Sequence, residues 1–237
     1  NVDAEKLEPK HITEEFEQAL KSDDTVLIAK IRNHEITRML DLMHYYADIP
    51  ASETDNRDKI TYIEEELTFT ESSITPLMAA ELRSLVPALC AKESLFKDRK
   101  PNKKGARGIA QFKPSVWDGL GLGEYGKSQP FTVQVKAIGL QFGQYQRELI
   151  MNERVNKMYT QIETLFVSRE SFEKNFWMPL LLTTYNAGAK RMKEVVIAFM
   201  ENHSIDDLRN QYAPVDGMDL FFAMSQYAVR NGVEGYV

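Results

Sequence analysis

The chain reads as helices nearly throughout, and that periodicity is what most limits its possible folds. Ile36, Met39, Leu40 and Met43 recur at i, i+3, i+4 and i+7, one apolar stripe of a helix. Thr13, Glu14, Glu15, Phe16 and Glu17 predict a helix start, because acids in a first turn meet the positive end of the helix dipole. Polar breaks fall at residues 50 to 58 and 70 to 76, with a helical pattern from 60 to 67 between them. Pro87 is expected in the first turn of a helix that carries Glu93, where its missing N–H costs nothing. Residues 97 to 108 read as a polar loop, and residues 119 to 130, with four glycines and a proline, as another. Residues 133 to 166 form a long helical region, and 151 to 176 are expected to add a helical hairpin or flap.

This helical chain must close its core without covalent help. Cys90 is the single cysteine, which excludes an internal disulfide and a cysteine-based metal site. Its apolar neighbours mark it as a buried structural thiol. A length of 237 residues fits one large domain, or a catalytic domain with an appendage. The net charge of −6 gives no support to nucleic-acid binding over the whole surface. No apolar run approaches the roughly 18 residues that a membrane span needs. His34-Glu35 opens like a zinc-protease motif, but Arg38 stands where the second histidine belongs, and His11, His44 and His203 complete no motif. Neither a metal nor another cofactor is expected.

Chemistry concentrates in two clusters. Glu93-Ser94-Leu95-Phe96 is followed by Gly105-Ala106-Arg107-Gly108-Ile109-Ala110-Gln111 and Pro114. The second cluster is Thr184-Tyr185-Asn186-Ala187-Gly188. Leu89 and Cys90 share a helix face with Glu93, and an apolar face disfavours a charged carboxylate. A place near a helix C-terminus acts the same way. A carboxyl group kept neutral in this manner can donate a proton to a glycosidic oxygen.

Taken in order and with this spacing, the two clusters resemble the soluble lytic transglycosylase family, relatives of goose-type lysozyme. The resemblance covers roughly residues 75 to 237. It implies a mainly α, lysozyme-like catalytic domain there and leaves residues 1 to 74 as an N-terminal helical extension. It also implies cleavage of peptidoglycan at the β-1,4 bond between N-acetylmuramic acid and N-acetylglucosamine. One glutamate, here Glu93, first protonates the leaving oxygen and then accepts the proton of the muramyl C6 hydroxyl, which leaves 1,6-anhydro ends. Tyr185 is the second catalytic candidate, its hydroxyl expected to face Glu93. Gln111 would bond sugar hydroxyl or acetamido groups. Gly105 and Gly108 would turn the backbone tightly beneath the sugar. Asn186 is expected to fix the local turn more than to touch substrate, and the 135–139 stretch to form the core helix between the two clusters. The partner is the glycan strand itself. The place of work is extracytoplasmic, in the cell envelope or periplasm, for a mature form without a visible signal peptide.

Three positions around the expected 2-acetamido pocket depart from the family pattern. Asn102 stands where a serine is usual, Lys113 where a methionine is common, and Glu234 is out of register with the closing glutamate. These departures raise an alternative, a lysozyme-like hydrolase with altered selectivity, for example toward modified or de-N-acetylated peptidoglycan. A further alternative is a non-catalytic glycan-binding module that kept the fold. The basic run Lys97, Arg99, Lys100, Lys103, Lys104 and Arg107 reads either as a solvated loop or as an attractor for lactyl and stem-peptide carboxylates. Phe112, Trp117 and Tyr125 are candidates for stacking on sugars, with core packing favoured for Trp117.

Overall fold

The computed structural model describes residues 54–94, 96, 101–123 and 129–231. Expectations for residues 1 to 53, for the basic side chains at 97, 99 and 100, and for Tyr125 and Glu234 lie outside the described residues. Among those described, every regular element is a helix, and β pairing is confined to two isolated bridges. The fold is mainly α.

Helix α1 spans Thr54–Glu66, and α2 spans Pro76–Ser94. The expected break at 50 to 58 is therefore corrected from Thr54 onward. Short polar residues that interrupt an apolar pattern are also the residues that open helices. In α2, Met78, Leu82, Val86 and Cys90 recur every four residues and are all buried. That stripe accounts for the second correction. Pro87 lies deep inside α2 rather than in a first turn, so the Arg83 carbonyl has no helical N–H to accept from. A proline inside a helix costs about 3 kcal/mol, and burial of four side chains at roughly 1.5–3 kcal/mol each outweighs it.

After a short α3 (Pro114–Gly119), the chain enters the long α4 (Phe131–Ile150). Asn152 then caps α5 (Glu153–Glu163) by accepting the Val155 N–H at 3.1 Å, so the expected long helical region is two helices. A single turn α6 (Arg169–Phe172) runs into a π-turn (Glu173–Trp177) and on into α7 (Met178–Ala187). Helices α8 (Ala189–Asn202), α9 (Ile205–Tyr212) and α10 (Asp219–Arg230) complete the described chain. Helix α4 packs against α5, α7 and α8, and α8 packs on α10.

The stretch from 151 to 176 is not a flap. Tyr159, Ile162, Phe172 and Phe176 are buried in the same core as α2 and α4. Ile63 and Leu67 of the N-terminal part also belong to that core. The linker between α1 and α2 crosses α4 where the helix carries Gly139 and Gly143. A Cβ on Gly139 would collide with the Thr68 carbonyl, and one on Gly143 would lie 3.2 Å from the Glu71 Cβ. Arg147 donates to Glu71 at 2.8 Å beside this crossing.

Polar side chains fix the start of α2. The Thr75 hydroxyl accepts the Met78 N–H at 3.2 Å and donates to the buried Glu173 carboxylate at 2.8 Å. Arg169 donates to the other Glu173 oxygen at 2.8 Å. The indole of Trp177 donates to Gln146 at 2.6 Å, and Gln146 donates to the Ser73 carbonyl at 3.3 Å.

Candidate active site

Glu93 lies in the last turn of α2 and is half-buried. Burial first, and the nearby Glu93 charge second, push the Cys90 thiol up out of the range of a reactive thiolate. Phe96, just beyond the helix, is buried and holds a left-handed backbone with φ 57°. Its carbonyl accepts from Lys59 of α1 at 3.5 Å, which sets a cation at the negative end of α2.

The 101–112 segment folds against this helix end. Asn102 organises its first half: its side-chain oxygen accepts the N–H groups of Lys104 at 2.8 Å and Ala106 at 3.0 Å. Arg107 and Phe112 then pair through two backbone hydrogen bonds of 2.9 Å, closing a hairpin. Gly105 and Gly108 have φ of 77° and 75°, values that a glycine adopts without strain, as expected. Gln111 has φ 51°, which costs a residue with a side chain about 1–2 kcal/mol.

Three helices hold this hairpin by its backbone. From α2, the fully buried Ser94 hydroxyl lies 2.8 Å from the Ile109 carbonyl and 3.1 Å from that of Cys90. From α4, the Gln134 side chain accepts the Ile109 N–H at 2.7 Å. From α7, the Tyr185 hydroxyl donates to the Ala110 carbonyl. Tyr185 is in turn enclosed by Phe112 at 6.4 Å, Phe142 at 5.8 Å and Tyr145 at 6.4 Å between ring centroids. Burial, then the Glu148 charge, push the Tyr145 phenol up to about 12.

The two sequence clusters therefore meet at residues 109 to 111, with Glu93 one residue from the Ser94 anchor. The individual expectations fare unevenly. The Tyr185 hydroxyl, expected to face Glu93, donates to the carbonyl of the buried Ala110. The Gln111 amide nitrogen donates to the Gly108 carbonyl at 2.9 Å, so one of its two N–H donors closes its own turn. Asn102 uses its oxygen within the loop and is exposed, as is Lys113 at the start of α3. Asn186 belongs to the last turn of α7, and the turn itself falls at Gly188, with φ 86°. Trp117 and Phe112 are both buried, which fits core packing rather than sugar stacking. Lys103, Lys104 and Lys113 are exposed, and a Cβ on Gly105 would lie 3.5 Å from the Pro114 ring.

Sequence reasoning missed Ser94, Gln134 and Tyr145 as parts of this assembly. Gln134 does leave a trace: it is an uncharged polar residue on the stripe that continues through Ile138 and Tyr145. The 101–112 segment contains no carboxylate of its own, and Glu93 immediately precedes Ser94, which bonds the hairpin at Ile109. Among the described residues no cluster of three or more histidine, cysteine, aspartate or glutamate side chains is placed to hold a metal, and no helix is long and apolar enough to cross a membrane. Comparison with models of protein families, with curated proteins and with solved structures finds no match to this chain.

Proposed function

We propose that this chain cleaves peptidoglycan glycan strands with Glu93 as its single acid/base, by lytic transglycosylation that leaves 1,6-anhydro ends. The reading includes a lysozyme-like fold of the lytic transglycosylase and goose-type lysozyme kind, acting in the cell envelope outside the cytoplasm. The observation that carries it is the hairpin clamped between the Glu93 helix and the Tyr185 helix through Ser94 and Tyr185. The left-handed Gln111 backbone within that hairpin supports it, because such strain persists only where the surroundings enforce it.

The chemistry follows from donor and acceptor capacities. A neutral Glu93 donates its proton to the glycosidic oxygen, and the bond to C1 breaks. The resulting carboxylate takes the C6 hydroxyl proton as that oxygen bonds to C1 of the same sugar. The Oε1 atom of Gln111 is an acceptor for a sugar hydroxyl or acetamido N–H.

Glu93→Gln tests the proposal. Lysis of purified sacculi should fall by about 10²–10⁴-fold, the usual worth of acid/base catalysis, with an unchanged melting curve. Wild-type rates in this variant would move the chemistry to another residue. Lysis absent from the wild type, with sacculi still bound, would leave a glycan-binding module. One observation favours hydrolysis as a second reading: the Asn102 oxygen is engaged within its own loop, at a position expected near the 2-acetamido group. Reducing rather than anhydro ends on released muropeptides, with faster turnover of de-N-acetylated wall, would establish that reading.

A further inference from the structure

We propose that Gln134 is a positioning residue for the Glu93 site, setting the hairpin from behind through a paired donor and acceptor. The inference rests on the Glu93 reading. Gln134 is 4% exposed, on the first turn of α4. Its Oε1 accepts the Ile109 N–H at 2.7 Å, and its Nε2 donates to the Gln129 carbonyl at 2.7 Å. These two partners fix which end of the amide is which, since an N–H can only donate and a carbonyl only accept.

The tip of Gln134 also fills the space that a side chain at position 108 would need: a Cβ on Gly108 would overlap Oε1. Gly108 and Gln134 thus fit only as a pair. Ile109 is bonded on both sides, its N–H to Gln134 and its carbonyl to Ser94, the neighbour of Glu93. A shift of the Gln134 amide therefore moves the hairpin relative to the acid. The Gln129 bond joins this position to the chain that enters α4, so the end of the glycine-rich connection and the hairpin move together.

No other side-chain chemistry of that length serves. A carboxylate would set an oxygen against the Gln129 carbonyl, and an aliphatic group would take the acceptor from the buried Ile109 N–H and the donor from the Gln129 carbonyl. Gln134→Leu and Gln134→Glu in the full chain separate positioning from folding. For Gln134→Leu, kcat on sacculi should fall by ~10²-fold, the scale of a displacement near 1 Å, with KM within about twofold. Amide exchange at Ile109 should accelerate by at least ~10-fold. Gln134→Glu should be equally slow at neutral pH and recover, relative to wild type at the same pH, as the pH falls. A protonated carboxyl again offers one donor and one acceptor. Wild-type kcat in Gln134→Leu, unchanged Ile109 exchange, or no relative recovery of Gln134→Glu in acid would each overturn the inference. Wild-type protein that releases no muropeptide would instead overturn the glycan-cleavage reading, and Ile109 exchange would still report on the clamp.

Discussion

The 101–112 hairpin and the aromatic packing of residues 159 to 177 differ in which contacts hold them in place. In the aromatic region Phe172 and Phe176 stack at 5.7 Å, Phe166 meets Phe172 at 5.5 Å, and Tyr159 sits edge-on to Trp177 at 4.4 Å. That contact is broad and weakly directional. The hairpin is held by single side chains, each reaching one backbone atom. Broad packing conserves a volume, while directional bonds conserve a position. Under the proposed function, a loop that presents Gln111 to substrate needs the second.

Substitutions can break this contrast in order of size. Phe172→Ala should cost ~3–5 kcal/mol, the range for emptying a buried aromatic site, and lower the melting temperature, while activity per folded molecule stays near wild type. A matching fall in specific activity at temperatures where the variant is folded would erase the distinction between the regions. Ser94→Ala removes far fewer atoms and leaves the Ile109 carbonyl without its hydroxyl donor. Its expected stability loss is ~1–3 kcal/mol, with a disproportionate loss of sacculus lysis. Lysis that tracks the melting curve alone would reduce Ser94 to a packing residue.

Two tyrosines sharpen the comparison further. The Tyr185 hydroxyl is bonded to Ala110, whereas that of Tyr159 is buried with no hydrogen-bond partner among the described residues. Tyr185→Phe should destabilise by about 1 kcal/mol, and Tyr159→Phe should be neutral or stabilising by a similar amount, read by paired denaturant titrations. Equal signs would refute the assignment. A further effect is confined to alkali. Tyr145 ionises near 10 when unfolded and is pushed to about 12 when folded, by burial and then by Glu148. The unfolded chain thus loses this proton first, so stability present below pH 10 declines as pH rises toward 12. Tyr145→Phe should flatten that decline.

Much of this molecule is legible from the order of its residues, but unevenly. Helical patterning marks the region of α4 and the last turns of α2, and the two clusters at 93–111 and 184–188 converge on residues 109 to 111. What stays hidden is nonlocal and polar. Ser94 and Gln134 each bond a backbone atom of Ile109, and no periodicity encodes such a partner. Pro87 misleads because local propensity sets the helix start elsewhere, while the buried stripe from Met78 to Cys90 carries α2 through it. The 151–176 segment misleads for a related reason: length beyond a family pattern says nothing about burial, and its aromatic residues lie in the core.

The crossing of the α1–α2 linker over Gly139 bears on how the protein can be taken apart. A backbone carbonyl rests where even a methyl group would not fit. Truncation before Pro76 would strip that cover and open a furrow along the longest helix. Residues 54 to 75 thus act as a lining of the helical body rather than luggage it carries.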